Sequence, residues 1–352
     1  MQRRRPAVKR DSDSGGEGRR SVVPTISQVA KASGVSRATV SRAFSRPEML
    51  TEETVRRVKE VAGKLGYVPN QVARALSTGR HGNVALIVSD VANPFFPPLI
   101  RAAQLRADQA GLCVFLGNSD EDPAREELLV GRFIGQVEGL VLASSRLDEE
   151  HIRRHATRRP LVLINRDIEG ITRVLIDTAP GVAAAIAHLA ELGHRHIAYV
   201  SGPTTSWSNQ QRRNAVRREA EKRGLKVIAV PARPPSYDTG RLAATQIVAS
   251  GVTAAIAFDD LVAQGLLAGL AALDVEVPKS FSVVGCDDVL GETTYPPLTT
   301  VSARCADAGD VAVGLLLSQM NGGVSGEIRH KLNSHLVIRA STGPAPVKRR
   351  GR

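Results

Sequence analysis

The chain has 352 residues, 47 Lys+Arg against 35 Asp+Glu, a formal net charge of +12 and 42% hydrophobic residues. That length exceeds one small domain and leads to two or three compact units with enough apolar content for a sizeable core. No apolar run approaches a membrane span, the opening "MQRRRPAVKRDSDSGGEGRR" lacks the apolar stretch of a secretory signal, and Cys113, Cys286 and Cys305 form no C-x-x-C pair.

Residues 1–23 read as a disordered basic arm, poor in apolar side chains. Such an arm either adds non-specific phosphate contacts or is an inert tail. Thr25 then caps a helix, with Gln28 three residues on in the T-x-x-Q form of a capping box. Ile26, Val29, Ala30 and Ser33 share one face, and Gly34 ends the helix cheaply in the left-handed conformation. Ser36 caps the next helix, whose buried side is Val40, Ala43 and Phe44. Its other side carries Arg37, Ala38, Ser41 and Arg42. Two short helices across a tight glycine turn make a helix-turn-helix. Thr51 caps a third helix, with Glu52 and Glu53 at its positive end, Val55, Val58, Ala62 and Leu65 on one face, and Gly66 as its stop.

A solvated charged face alone would account for that pattern. The distribution of charge argues otherwise. Residues 1–80 hold 17 basic and 7 acidic side chains, and the remaining 272 hold 30 and 28, with Lys348, Arg349, Arg350 and Arg352 more than covering that small excess. The positive field lies on the helix-turn-helix segment, as in a DNA-binding unit.

From residue 84 short apolar runs alternate with helical stretches: "VALIV" 84–88, "LCVFL" 112–116, "GLVLA" 139–143, "LVLIN" 161–165, "HIAYV" 196–200, "KVIAV" 226–230, "AAIAF" 254–258 and "FSVVG" 281–285. Helices are expected over 126–137, 181–192 and 261–273. This alternation implies parallel sheets covered on both faces. The runs exceed one sheet, and "VLIDTAPG" near Asp177 looks like a crossing between two lobes. Cys113 and Cys286 lie in apolar runs and are expected to be buried small residues. A reducing cytoplasm fits.

In open parallel sheets ligands sit beyond the carboxyl ends of the strands. Those ends carry Asp90, Asn165 and Arg166, the Ser201–Trp207 segment, Asp259 and Asp260, and Asp287 and Asp288, while Phe95 and Phe96 open the helix after the first strand. Carboxylates, amides and aromatic rings in one cleft suit a sugar or nucleoside. Any one of them is equally an ordinary helix cap, the reading preferred for Asp260 and Asp288.

The fragments "TISQVAKASGVSRATVSRAF", "LTEETVRRVKEVAGKLGYVPNQVARALSTGR", "NPFF", "HLAELGHRHIAYVSGP", "AIAFDDLVAQG" and "SVVGCDD…YPPLTTV" together resemble the lactose-repressor (LacI/GalR) family of transcriptional regulators, over residues 24–342. The resemblance implies an all-α helix-turn-helix headpiece, a hinge helix and an α/β two-lobed effector domain like periplasmic sugar-binding proteins. The implied boundaries are 24–69 for the headpiece, 70–81 for the hinge, 82–342 for the effector and dimerisation domain, and 343–352 for a basic tail. The first lobe would take 82–178 plus 303–322 and the second 179–302 plus 333–342. Implied partners are pseudo-palindromic double-stranded operator DNA, a sugar or nucleoside-like effector, and a second copy in a homodimer or a tetramer. No cofactor, metal, membrane or catalytic activity is implied, and the location is cytoplasmic, on the nucleoid.

Residue by residue, Arg37, Ala38 and Arg42 match base-reading positions, with Thr39 and Ser41 nearer the phosphates. Thr25 and Ser36 cap the two helices on the DNA side. Arg42 has the geometry for guanine O6 and N7. In "PNQVARALS", Asn70 caps the hinge, Ala73 lies within it, and Leu76 matches a leucine that wedges into the minor groove. Phe95 and Phe96 match an aromatic pair in the effector cleft, Arg212 an effector-binding arginine, and Asp287 the aspartate opposite. Trp207, the only tryptophan, is placed to stack on a sugar or to pack in its loop. Asp259-Asp260 stands where the family usually has Asn-Asp, and Asn165-Arg166 where it often has Asp-Arg, so the usual ligands do not carry over.

His151 and His155 have metal-ligand spacing but stand among Glu149, Glu150, Arg153 and Arg154, as on a solvated face. His194 and His196 are explained by turn packing. There is no G-x-G-x-x-G after a strand and no P-loop. A sugar-transport protein shares the two-lobed fold, and strand-end carboxylates also suit an α/β enzyme. The basic helix-turn-helix argues against the first, and the lack of a nucleophile–base pair against the second.

Overall fold

The computed structural model describes residues 24–68, 81–323 and 326–346. The arm 1–23, most of the hinge segment with Asn70, Ala73 and Leu76, and the tail from 347 lie outside them. The chain divides into two units, Met1–Arg80 and His81–Arg352.

In the first unit α1 (Ile26–Ser33), α2 (Arg37–Ser45) and α3 (Glu52–Leu65) enclose a small core of Val29, Ala30, Val40, Ala43, Val58 and Ala62. The caps follow from the sequence. Thr25 N–H donates to Gln28 Oε1 at 2.7 Å, and Thr39 N–H to Ser36 Oγ at 3.0 Å. Thr54 N–H donates to Thr51 Oγ1 at 3.4 Å. Gly34 turns the chain with φ 69°. Leu65 departs from the expected apolar face: it is 39% exposed. The chain reverses at Gly66, and Tyr67 packs in its stead, with its ring 6.0 Å from that of Phe44.

The second unit holds two six-stranded sheets. The first comprises β1 (Asn83–Val88), β2 (Cys113–Asn118), β3 (Leu140–Ala143), β4 (Leu161–Ile164), β5 (Arg173–Asp177) and β11 (Arg329–Asn333), in the order β11-β5-β4-β3-β1-β2. The second comprises β6 (His196–Ser201), β7 (Lys226–Pro231), β8 (Ala254–Ala257), β9 (Ser282–Asp287), β10 (Thr299–Ser302) and β12 (His335–Val337), in the order β12-β10-β9-β8-β6-β7. All pairings are parallel except β10 with β12. Helices α4 (Phe96–Gln109), α5 (Pro123–Phe133), α6 (Glu149–Ala156) and α11 (Cys305–Met320) cover the first sheet, and α7 (Ala179–Glu191), α8 (Trp207–Lys222), α9 (Tyr237–Ala249) and α10 (Asp260–Ala272) the second.

Burial on both faces is why the central strands read as continuous apolar runs. Along β1, Val84, Leu86 and Val88 join one core with α4 and α11, while Ala85 and Ile87 join another with α5 and α6. The second sheet divides likewise, with Ala198 and Val200 on one side and Ile197 and Tyr199 on the other. The chain passes between the lobes after β5, after β10 and between β11 and β12. Residues 329–333 thus belong to the first sheet, whereas the sequence reading left 323–332 unassigned and put 333 in the second lobe.

Two further expectations need correction. Cys113 is exposed while Cys286 and Cys305 are buried, because Cys113 opens β2, an edge strand with one side unpaired. His155 is 2% exposed rather than solvated, with its Nε2 2.8 Å from Glu127 Oε2, since α6 turns Ile152 and His155 inward together. His151 stays outside, 2.7 Å from Asp148. Among the described residues no three metal-ligating side chains are gathered, and no helix is long and apolar enough to cross a membrane.

Candidate functional site

Two surfaces carry chemistry. In the first unit the exposed side of α2 presents Ser36, Arg37, Ala38, Ser41 and Arg42, with Thr39 half-buried beside them. Thr25 is exposed at the start of α1. Val40 and Ala43 are fully buried on the opposite side, so the helix cannot rotate without breaking its core. Two guanidinium groups and short hydroxyl side chains on one rigid helix face suit phosphates and base edges.

The second surface is a cleft between the two lobes of the second unit. Phe95, Phe96 and Asn165 of the first lobe line it, with Arg212, Asp259 and Asp287 of the second. The sequence reading placed Asp90, Arg166 and Trp207 there too, but they are not in the lining. Asp90 accepts from Ala92 N–H at 2.9 Å and is spent on its own turn. Arg166 donates to Leu147 O at 3.1 Å. Trp207 opens α8 between Ser206 and Ser208, which do line the cleft.

Strand ends build this site through unusual backbone. Glu121, Ser144, Asn165 and Asp287 all have positive φ, of 61°, 56°, 54° and 114°. Left-handed conformations of this kind are tolerated where surrounding structure holds them, and they gather at functional sites. Asn165 is held by Ile176 N–H, which donates to its Oδ1 at 3.0 Å. Tyr199 Oη donates to Asn209 Oδ1 at 2.9 Å, and Asn209 in turn binds the Gly202–Pro203 loop that leads to Ser206. Gly202 lies under Phe258: a Cβ there would come within 2.6 Å of that ring.

Arg212 is 4% exposed. It donates through Nη2 to Asp287 Oδ1 at 2.8 Å and through Nη1 to Phe258 O, and its guanidinium lies 5.0 Å from the Phe258 ring centroid. Its buried Nε has no partner among the described residues. Burial pushes the Asp287 carboxyl well up, and the Arg212 charge works against that. Across the cleft, Asn93 Nδ2 donates to Asp259 Oδ2 at 2.9 Å. Asn93 Oδ1 also accepts from Phe95 N–H at 3.0 Å, closing the turn that leads into α4. Burial raises Asp259 as well, opposed by hydrogen bonds from Val262 and Asn93.

The two helix-cap assignments exchange owners. Asp259, not Asp260, caps α10, accepting from Val262 N–H at 2.8 Å. Asp260 accepts instead from Thr300 Oγ1 at 2.6 Å and from Val289 and Leu290 N–H at 2.9 and 3.1 Å, so it pins the loop after β9. Burial pushes it up to about 6. Asp288 is no cap either, since no helix follows it; it pairs with Arg339 at 2.8 Å.

Sequence reading missed Ser89, Asn93, Glu121, Ser144 and Arg146 in the first lobe, and Ser208, Pro235 and Phe258 in the second, while Ser206 belongs to the expected Ser201–Trp207 segment. Asn93-Pro94 did carry a turn signal. Arg146 and Glu121 are joined by two hydrogen bonds of 2.6 and 2.9 Å although they lie in different loops.

With this geometry in view, comparisons with known proteins are consistent across both units. The model for bacterial regulatory proteins of the lacI family matches residues 25–70, and that for a periplasmic binding protein-like domain matches 186–342. Catabolite control protein A of Streptococcus mutans is 34% identical over 310 residues, covering 84% of this chain and 91% of that protein. The lac repressor dimer bound to operator and the anti-inducer ONPF superposes with a TM-score of 0.82 at 25% identity, covering 91% of this chain and 99% of that one. A LacI family transcriptional regulator from Enterococcus faecalis V583 with bound ribose matches with a TM-score of 0.69 at 29% identity, covering 76% and 100%.

Proposed function

Since the chain belongs to the lacI family of bacterial regulatory proteins, we propose that it is a sequence-specific transcriptional repressor whose hold on operator DNA is set by a sugar or sugar-like effector in the interlobe cleft. The observation that carries this is the cleft itself. Its two walls belong to different lobes and are joined by the Asn93–Asp259 hydrogen bond. A ligand that inserts polar groups there changes the relation of the lobes, and an effector acts only through such a difference in affinity between two states. The orphan Arg212 Nε–H is a donor for its hydroxyl or carbonyl oxygen.

Within this reading Arg37, Ala38 and Arg42 face base edges, and Thr25, Ser36, Thr39 and Ser41 face the backbone. Asn70, Ala73 and Leu76, on the segment that connects the units in sequence, take part at the operator centre. The protein acts as a homodimer on a pseudo-palindromic site. Support comes from the edge of the first sheet, where β2 leaves Cys113 and Leu116 exposed. Unpaired apolar edges call for a cover. The cleft carboxylates are engaged in caps and ion pairs, so no catalytic role is assigned to them. The site of action is the nucleoid in the cytoplasm.

The test is selection from a random duplex pool, followed by titration of sugars onto the complex by fluorescence anisotropy. The expected result is a pseudo-palindromic consensus and a change of affinity with at least one sugar. Selection that returns no consensus overturns the proposal.

A further inference from the structure

Two cationic side chains line the cleft, Arg146 and Arg212, and each is already matched by a carboxylate. Arg146 is bound by both oxygens of Glu121, and its Nη1 donates to Ser144 O at 2.7 Å. Arg212 is bound by Asp287. Asp259 is a third lining carboxylate, with no cation of its own in hydrogen-bond contact. Among the described lining residues every cation thus has a carboxylate partner, and Asp259 leaves at most an excess of negative charge.

We propose that the effector of this cleft is uncharged: a polyhydroxylated molecule that carries neither phosphate nor carboxylate. The inference rests on reading the cleft as the effector site. A buried anion needs a charged or strongly donating partner. Here an incoming phosphate finds each guanidinium already neutralised by Glu121 or Asp287, so it either adds uncompensated negative charge beside that carboxylate or displaces it and leaves it unpaired. Hydroxyl groups face no such demand. They can accept from the orphan Arg212 Nε–H and donate to the free lone pairs of the carboxylates.

The competing account is that α4, α8 and α10 all start at the cleft, and helix N-termini favour anions. Each of these termini is already satisfied from within. At α4 Phe96 N–H donates to Asn93 O at 3.0 Å and Pro97 and Pro98 have no N–H, Ser206 Oγ caps α8, and at α10 the cap is the Asp259 carboxylate itself. The anion place on α10 is thus filled by the protein.

Titration of the full chain with neutral and phosphorylated pairs tests this: ribose and ribose 5-phosphate, glucose and glucose 6-phosphate, adenosine and AMP. Trp207, the single tryptophan, lies between two lining serines and reports binding by fluorescence. Wild type is expected to bind each phosphorylated member at least tenfold more weakly than its parent. Glu121→Gln, which frees Arg146, and Asp259→Asn, which removes the unmatched charge, are each expected to raise the affinity for at least one phosphorylated member at least tenfold. Two results overturn the proposal: a phosphorylated member that binds wild type as tightly as its parent, or no gain in either variant, including no binding at all. The underlying reading of the cleft fails separately, if no neutral or phosphorylated compound alters DNA affinity.

Discussion

Asn93 and Asp259, 166 positions apart in sequence, meet across the cleft in a buried hydrogen bond of 2.9 Å. Asp259 also caps α10, and Asn93 also closes the turn into α4 by accepting from Phe95 N–H. The contact therefore ties two helix starts together as well as two lobes.

Asn93→Asp keeps an acceptor for Phe95 N–H but puts a second carboxylate opposite Asp259. Effector affinity is expected to fall at least tenfold at pH 7.5, about 1.4 kcal/mol. Burial raises the Asp259 carboxyl, so lowering the pH to 5.5 should return part of the loss by protonating one of the pair. Calorimetry at both pH values decides. Equal affinity of variant and wild type throughout would mean that other contacts govern closure.

Asp260 is buried and pushed up to about 6, chiefly by desolvation. A carboxyl raised in the folded state favours folding while protonated. Its contribution is fully present below the unfolded value of 3.8 and is lost as pH rises through about 6. Asp260→Asn should therefore gain relative to wild type as pH climbs across that window, by up to about 3 kcal/mol. Asp259 and Asp287 titrate nearby, so the comparison is of variant with wild type in denaturant melts at each pH. A difference that does not vary with pH would show that Asp260 is ionised throughout.

Those buried carboxylates also mark where sequence reasoning ended. The apolar runs of β1, β3 and β4 and the caps Ser36 and Thr51 were legible because burial on both faces and capping are local rules. Which of two adjacent aspartates caps α10 was not, since a one-residue offset turns Asp259 toward Val262 and sends Asp260 to Thr300, 40 residues away. The strand "RHKLN" has no apolar signature: it is an edge whose partner β5 lies 156 positions earlier. The Glu121–Arg146 pair had no signal either, because two loops bring it together only once β2 and β3 are both in the sheet. Trp207 misled for the opposite reason, being near the cleft in sequence while its serine neighbours form the wall.

Arg42→Ala is expected to weaken operator binding by about 1–3 kcal/mol and to relax preference at one guanine per half-site. Arg42 is exposed on α2, and no side-chain core contact depends on it. Melting temperature should hardly change. Binding curves against single-base operator variants check this, and an unaltered preference would move base reading elsewhere on α2.

Leu116→Glu puts a charge on the exposed edge of β2, where Leu116 is 45% exposed. If a second copy covers that edge, the variant should be monomeric in sedimentation and should lose most operator affinity while each monomer stays folded. Retained dimers would place the interface away from β2.

The Arg212–Asp287 pair invites a distinction between folding and signalling. Both partners are buried, 4% exposed each, and removing one leaves the other charge uncompensated. Arg212→Met or Asp287→Leu alone is expected to destabilise by about 3–5 kcal/mol, whereas the double variant should recover much of that, because two apolar side chains replace the buried pair. A purely structural pair would then leave effector response intact in the double variant. The cleft reading says the opposite: stability returns, operator binding without effector is near wild type, and the response to effector stays lost. Denaturant melts and effector titrations on the single and double variants separate these outcomes. A double variant that responds normally would remove Arg212 and Asp287 from the effector site, whatever their weight in the fold.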